Sequence, residues 1–306
     1  MFASAIFAAA AAQLLPIVVP LQKTPRQVER PVAPIETAGP AFAAACKDWD
    51  EWDKPAPPVR IHGNTYLVGT CGISAILITG SAGDILIDGG PEAAAPLIAR
   101  NIQRLGFNLR DVKILLHSHE HFDHVGGIAR LQQLTGAQLY ASAAAAKVLE
   151  SGIAGAGDPQ QGIGKPFPPA RVDRIVGDGE QVRLGNVVLT AVATPGHTPG
   201  ALTWHWGSCD GGVCRQIVYA DSLTPVSGKD YRFSDHPQYV AAYRTSIAKI
   251  AALPCDILLT PHPSASDMVK RLAPGRPLDD PIACKHYGAS LTTQLDDRLA
   301  KEAGAK

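Results

Sequence analysis

The chain has 306 residues, of which 18% are charged and 6% aromatic, and its 28 basic residues balance 28 acidic ones. This neutral balance, without a basic run, argues against nucleic acid or an acidic polymer as a partner. A hydrophobic fraction of 46% is ample for a globular core, and the length allows one large domain or two small ones.

The N-terminal region has the composition of an export segment followed by a linker. Residues 1–22 are apolar and rich in alanine, and we predict a signal peptide or similar export segment there, although no lysine or arginine precedes Lys23. Residues 23–45 are rich in proline and are predicted to be a disordered lead-in. No other segment approaches the roughly 20 apolar residues that span a bilayer. We therefore expect residues 46–306 to form a single domain without membrane association after cleavage.

From Val59 onward, short apolar runs alternate with glycine-containing turns, a pattern that is typical of β-strands. In the first half, the predicted strands cover 65–68, 75–79, 84–88, 112–116 and 138–140, and the predicted helices cover 97–105, 125–134 and 141–149. In the second half, the predicted strands cover 171–176, 181–184, 187–193, 201–206, 216–220 and 256–260, and the predicted helices cover 238–253 and a segment from about Ser290. Strand groups flanked by helices in both halves predict two packed sheets, with helices outside and one site between them.

Residues 151–170 interrupt this alternation with many glycines and prolines. Loops of this length inside a domain are usually functional lids or disordered segments. We predict that the 151–170 loop is a lid, with disorder as the alternative.

The cysteine count indicates the redox compartment. An even number of cysteines away from the histidine-rich segment favours disulfides and an oxidising compartment, and six buried free thiols are the alternative. Cys209 and Cys214 flank a turn-prone Asp-Gly-Gly-Val loop, so a local pair is expected there. The six cysteines are Cys46, Cys71, Cys209, Cys214, Cys255 and Cys284.

A cluster of metal-binding side chains follows the predicted strand 112–116. On an extended loop, alternate side chains point to the same side, whereas adjacent ones point apart. The adjacent pair Asp123 and His124 therefore serves two metal ions better than one, and a solvated polar loop is the weaker alternative. The five candidates within eight positions are His117, His119, His121, Asp123 and His124.

Two later histidines are candidates to complete the metal ligands. Zinc requires three or four ligands, and the local cluster cannot supply two such sets. His197 and His262 each follow a predicted strand directly and lie close to prolines. Alone, each would more often be structural, but beside the first cluster both become candidate ligands.

The order of these motifs along the chain resembles that of a known protein family. H-x-H-x-D-H, then G-H-T-P-G at 196–200, then a histidine after a late strand resembles the metallo-β-lactamase superfamily from about residue 59 to the C-terminus. The runs at 63–74, 219–223 and 258–263 are similar to subclass B3, and most of all to the AIM-like members with three disulfides. The resemblance implies a four-layer αββα sandwich of the mixed α/β class, two zinc ions and a periplasmic location. We further expect a monomer.

The resemblance also implies roles for individual residues. The adjacent Asp123 and His124 set the register of the motif, which makes His117 a core residue or an outer neighbour of the site. Asp123 is also implied to orient the attacking water. One zinc ion would bind His119, His121 and His197, and the other would bind Asp123, His124 and His262.

Further implied features are substrate contacts and disulfides. Ser222 and Thr224 resemble positions that bind the substrate carboxylate, with turn capping as the alternative for Thr224, and Gln160 in the 151–170 loop is a further candidate contact. The implied disulfides are Cys46–Cys71, Cys209–Cys214 and Cys255–Cys284.

The implied function is hydrolysis of the β-lactam amide bond of penicillins, cephalosporins and carbapenems by a metal-bound hydroxide. A lactonase or thioesterase of the same superfamily is the alternative, since Asp221 occupies a position that bridges both metals in several such relatives. A periplasmic zinc-binding protein without turnover is a second alternative. A serine mechanism is not supported, because the S-x-x-K run at 246–249 lacks its companion motifs.

Overall fold

Two β-sheets lie face to face in a computed structural model that describes residue 1, residues 39–274 and residues 277–304. Within these residues the first sheet has seven strands in chain order: β1 (Val59–His62), β2 (Thr65–Leu67), β3 (Ile76–Gly80), β4 (Gly83–Ile87), β5 (Val112–Leu116), β6 (Gln138–Ala141) and β7 (Val172–Ile175). The second has five strands in the order β12-β11-β10-β9-β8: β8 (Gln181–Leu184), β9 (Val187–Ala193), β10 (Leu202–Asp210), β11 (Val213–Tyr219) and β12 (Ile257–Leu259).

Helices cover the outer face of each sheet. On the first sheet, Leu86 and Leu115 pack against helix residues that include Ile98 and Ile128. On the second, Val218 and Leu258 share a core cluster with residues of α6 and α8. The described α-helices are α1 (Gly39–Ala45), α2 (Ala95–Arg104), α3 (Phe122–Val125), α4 (Ile128–Thr135), α5 (Ala143–Ser151), α6 (Pro237–Ala252), α7 (Met268–Arg271) and α8 (Ala283–Gly304). This layering confirms the predicted αββα sandwich.

The central strands of the first sheet are buried on both faces. In β5, Leu115 packs towards the helices, whereas Ile114 and Leu116 point into the core between the sheets. β4, β5 and β6 pair in parallel, and doubly covered parallel strands appear in sequence as continuous apolar runs. Loops that follow parallel strands emerge at one edge of the sheet, and the histidine cluster follows β5 at that edge.

Loops of the second sheet also emerge together at one edge. β10 is antiparallel to both β9 and β11, and β11 is parallel to β12. β9, β11 and β12 therefore run in one direction, and the loops after them leave a single edge. These loops carry His197, Asp221 and His262.

The hairpin of β10 and β11 is longer than predicted. The strands continue to Asp210 and Val213, whereas the apolar pattern ended at residue 206 and began again at 216. Gly211 and Gly212 have φ values of 53° and 86° and close a tight two-residue turn.

The closing helix α8 begins at Ala283, seven residues before the predicted start. Gly288 lies inside it, and glycine weakens an isolated helix. Here a Cβ at this position would lie 2.7 Å from the Ala251 Cβ. Close packing of α8 on α6 therefore explains why a glycine lies inside this helix.

The prediction of a disordered lead-in over 23–45 is wrong for residues 39–45, which form α1. Phe42 of α1 is fully buried in the central core, so this segment belongs to the domain. The predicted export segment and the rest of the lead-in lie outside the described residues, apart from Met1. None of the helices in the described ranges is long and apolar enough to cross a membrane.

Three disulfides confirm the predicted pairing. Cys46–Cys71 joins the segment after α1 to the loop between β2 and β3, and Cys209–Cys214 closes the hairpin of β10 and β11. Cys255–Cys284 ties the chain before β12 to α8. A native disulfide typically stabilises a small domain by about 2–4 kcal/mol.

Candidate metal centre

The two sheet edges bring six candidate ligands together in two groups. His119 and His121 follow β5 and meet His197 from the loop after β9, and these three form the first trio. The second trio joins Asp123 and His124 of α3 to a histidine after β12. Within each trio the candidate ligand atoms lie within 4.8 Å of one another. The second trio is Asp123, His124 and His262.

The second trio converges closely. The Nε2 atom of His124 lies 3.1 Å from the Asp123 Oδ2 atom and 3.2 Å from the His262 Nε2 atom. Burial would raise the pKa of Asp123, but His124 and His262 outweigh burial and hold it well below its usual value. The carboxylate is therefore ionised at neutral pH, as a metal ligand must be.

Hydrogen bonds on the far side of each ring orient the first trio. His119 Nδ1 lies 2.8 Å from Asp221 Oδ1, and His197 Nδ1 donates to the Thr224 carbonyl at 2.8 Å. His121 instead uses Nε2, which lies 2.9 Å from Asp158 Oδ2. Such partners fix the tautomer and aim the other ring nitrogen at a metal ion.

The donor atoms of the two trios are suited to zinc, and the position of His119 supports this. His119 Nε2 is fully buried and has no hydrogen-bond partner among the described residues, which is costly unless a ligand occupies that position. Burial lowers the pKa of His119 well below its usual value and that of His197 to about 3, so both rings are neutral. Neutral imidazoles plus one carboxylate are a donor set that zinc prefers.

A family model described as the metallo-beta-lactamase superfamily matches residues 68–262. The chain belongs to this superfamily.

Solved structures place it more narrowly, in subclass B3. The MIM-2 metallo-β-lactamase is 58% identical with a TM-score of 0.82, over 85% of this chain and 97% of that one. MIM-1 from Novosphingobium pentaromativorans is 51% identical with a TM-score of 0.84, over 86% and 98%. MEM-A1, a subclass B3 enzyme from a soil metagenome library, is 44% identical with a TM-score of 0.80, over 84% and 100%.

A more distant relative has a different name and a lower sequence identity. The hydroxyacylglutathione hydrolase of Cereibacter sphaeroides is 28% identical over 230 residues, which are 72% of this chain and 77% of that protein. The chain is thus considerably more similar to the subclass B3 structures than to this hydrolase.

Asp88 supports this metallo-β-lactamase centre and was not predicted. Its carboxylate accepts hydrogen bonds from the Ser118 N–H at 2.6 Å, the Ser118 hydroxyl at 2.7 Å and the Tyr219 hydroxyl at 2.7 Å. It also lies 3.9 Å from His124 Nδ1. Asp88 has a φ of 66°. The available signal was its position at the carboxyl end of a buried strand, before two glycines.

Glu120 joins the two loops of the first trio and was also missed. It is buried, and it accepts hydrogen bonds from the Thr198 hydroxyl at 2.6 Å and the Gly200 N–H at 2.8 Å. Gly200 leaves no room for a side chain, since a Cβ there would lie 2.5 Å from the Ala145 nitrogen. Glu120 thus links the first histidine loop to the G-H-T-P-G loop.

The 151–170 loop contacts the first trio through two side chains. Asp158 bonds His121, and Gln160 Nε2 lies 3.2 Å from His197 Nε2. The loop is fastened further by the Gly228 N–H, which donates to the Pro159 carbonyl at 2.9 Å. No feature of the sequence pointed to Asp158. Movement of the loop as a lid stays a prediction.

Ser222 and Thr224 lie beside the first trio, on the loop after β11. The Ser222 hydroxyl is buried and has no hydrogen-bond partner among the described residues. The Thr224 hydroxyl is 3.3 Å from His197 Nδ1. Tyr287 holds the loop in place by donating to the Asp221 and Ser222 carbonyls at 3.0 and 2.8 Å.

His117 lies outside both trios. It is fully buried, its Nε2 atom accepts a hydrogen bond from the Ser142 N–H at 3.2 Å, and its carbonyl accepts one from the Trp204 indole. Burial lowers the pKa of His117 to about 4. His117 is therefore neutral at physiological pH and supports the core beneath the site.

The substitution His117→Gln is expected to weaken the acid sensitivity of the fold. The pKa of His117 is lower in the folded state than the value of about 6.5 in the unfolded chain, so the unfolded chain binds more protons between these values. The stability contributed by neutral His117 is complete above about pH 6.5 and is lost as pH falls towards 4, by about 3 kcal/mol in all. Glutamine keeps an acceptor for Ser142 but does not titrate.

Urea unfolding of the zinc-free wild type and His117→Gln proteins, from about pH 7 to pH 4, measures this effect. The free energy of unfolding should fall less steeply for the variant. The same slope in both proteins would contradict the role assigned to His117.

Proposed function

We propose that this protein hydrolyses the amide bond of β-lactam antibiotics, with one zinc ion in each trio. The observation that carries the proposal is the convergence of two complete ligand trios at one edge of the sandwich. The similarity to structures named as metallo-β-lactamases supports the same substrate class. When bound, a pair of zinc ions supplies a water molecule of lowered pKa and polarises a carbonyl.

The side chains of the chain itself have distinct tasks in this reaction. The Asp123 carboxylate binds metal and accepts a hydrogen bond from the attacking water, which orients that water towards the β-lactam carbonyl. The hydroxyls of Ser222 and Thr224 donate to the substrate carboxylate, and the Gln160 amide binds the substrate beside His197. The unpartnered hydroxyl of Ser222 supports this assignment, since a buried donor without an acceptor is costly.

Asp221 bears on the lactonase or thioesterase alternative. Its Oδ1 atom bonds His119 Nδ1, which leaves the unpartnered Nε2 atom of His119 available to a metal. Asp221 belongs to neither trio, which supports an orienting role. Its Oδ2 atom is also buried without a partner among the described residues, so the parallel substrate assays decide between this role and a bridge between two metal ions. The six-residue ligand set likewise argues against a zinc-binding protein without turnover.

The disulfides indicate the cellular compartment in which the protein folds. Three disulfides and no free cysteine indicate folding in an oxidising compartment. We therefore propose an exported, periplasmic enzyme that acts as a monomer on small β-lactam molecules.

Carbapenem hydrolysis tests the proposal directly. Absorbance of the β-lactam should fall with time, EDTA should abolish the activity, and Zn²⁺ should restore it, because the proposed reaction depends on zinc ions bound by the two trios. Parallel assays with an acyl-homoserine lactone and a glutathione thioester test the alternative. Metal analysis should find two zinc ions per chain, and a fully loaded protein without turnover of any β-lactam would contradict the proposal.

A further inference from the structure

Aromatic side chains beside the second trio form a surface that has no role in the proposed bond cleavage. The ring of Trp52 lies 5.7 Å, centroid to centroid, from both His262 and Phe122. The Lys165 ammonium lies 5.7 Å from the centroid of the Phe122 ring. Trp52, Phe122 and Lys165 come from three separate segments, and together they form an aromatic strip that runs from the second trio to the 151–170 loop.

The strip is exposed and borders a groove. Trp52 is 42% exposed, so its aromatic surface is accessible to a ligand. Phe122 forms one wall of a groove of about 570 Å³, which Lys165 and Phe167 also line. The volume is within the usual range for a small-molecule site.

The charge of the groove favours an anion. Glu92 and Arg130 both line it and offset each other, and Arg130 also bonds Gln133. Lys165 forms no ion pair within the described residues, and its aromatic contact leaves the ammonium open to solvent. One uncompensated positive charge next to the Phe122 ring, which in turn lies beside Trp52, suits a ligand that has both an aromatic ring and a carboxylate.

Trp52 is held in place by the chain around it. The Thr70 hydroxyl donates to the Trp52 carbonyl at 2.7 Å, and the Cys71 N–H donates to the Lys54 carbonyl at 3.0 Å. Cys71 also forms the disulfide to Cys46. The backbone that carries the exposed indole is thus held before a ligand arrives, which lowers the entropic cost of binding.

We propose that Trp52, Phe122 and Lys165 form a subsite for the side chain of a β-lactam that carries an aromatic ring and an additional carboxylate. The subsite rests on the proposed function, since it recognises a substrate of that reaction. Trp52 and Phe122 contact the aromatic ring, and Lys165 attracts the carboxylate. These residues determine specificity and take no part in bond cleavage.

Three penicillins that share one nucleus separate these contributions: 6-aminopenicillanic acid, which lacks a side chain, benzylpenicillin, which adds a phenyl ring, and carbenicillin, which adds a carboxylate to that side chain. In Lys165→Glu, kcat/KM for carbenicillin relative to benzylpenicillin should fall about three- to tenfold at low salt, and the effect should shrink at about 0.5 M salt. In Trp52→Ala, kcat/KM for benzylpenicillin relative to 6-aminopenicillanic acid should fall about three- to tenfold.

The matched controls are Lys285→Glu, an exposed residue on α8, which covers the second sheet, and Trp52→Phe, which keeps an aromatic ring. Neither should change its ratio by more than about twofold, and thermal unfolding verifies that each variant is folded. Unchanged ratios in both Lys165→Glu and Trp52→Ala would overturn the subsite while the wild type still hydrolyses the three penicillins. A zinc-loaded wild type that hydrolyses none of them would instead overturn the proposed function.

Discussion

The substitution Asp123→Ala is expected to lower kcat/KM for a carbapenem by more than about 100-fold, beyond the 10- to 100-fold loss typical of residues that only support a ligand. Asp123 supplies the anionic ligand of the second trio, and its carboxylate lies 3.1 Å from His124 and 3.4 Å from His262. Without it, two histidines remain, fewer than the three or four ligands that zinc needs.

Metal analysis should be paired with the kinetics. Asp123→Ala should bind one zinc ion tightly, in the first trio, and should lose the second on dialysis. The matched control is Asp296→Ala, which removes an exposed carboxylate of α8 that bonds Arg244 of α6 and should keep both ions and full activity. Two tightly bound ions in Asp123→Ala would refute the assignment of this residue to the second trio.

The substitution Asp88→Ala is expected to destabilise the fold by about 3–5 kcal/mol. It removes the acceptor for the Ser118 N–H and for the Tyr219 hydroxyl, both buried, and each unsatisfied donor costs about 1–3 kcal/mol. The φ of 66° adds to this cost, because alanine tolerates the left-handed region less well than aspartate.

Two further variants separate these causes. Asp88→Gly relieves the backbone strain but still lacks the acceptor, so it should be about 1 kcal/mol more stable than Asp88→Ala. Asp88→Asn keeps an acceptor and tolerates the same backbone, so it should be the most stable of the three. Urea unfolding of zinc-free proteins measures this order without a contribution from metal binding. Equal stability of Asp88→Ala and the wild type would contradict the role given to Asp88.

Much of the fold was predictable because its signals are local. The strand 112–116 and the stop at Gly136 were read from apolar runs and a glycine, and β5 and α4 end as predicted. The start of α8 was not predicted correctly, because only the contact with Ala251 explains why Gly288 lies inside the helix. A glycine that weakens a helix and one that admits a neighbouring helix look the same in sequence.

The histidine cluster shows where sequence inference ends. The sequence by itself predicted a local cluster of candidate ligands and the need for two later histidines, because one short segment cannot supply two complete sets of zinc ligands. The register that leaves out His117 came from the resemblance to the metallo-β-lactamase motif. Only the tertiary structure decided which groups orient those ligands. Asp88, Glu120 and Asp158 reach the site from separate segments, and no spacing records contacts formed when two sheet edges meet. The same holds for Trp52, which contacts His262 across 210 positions of the chain.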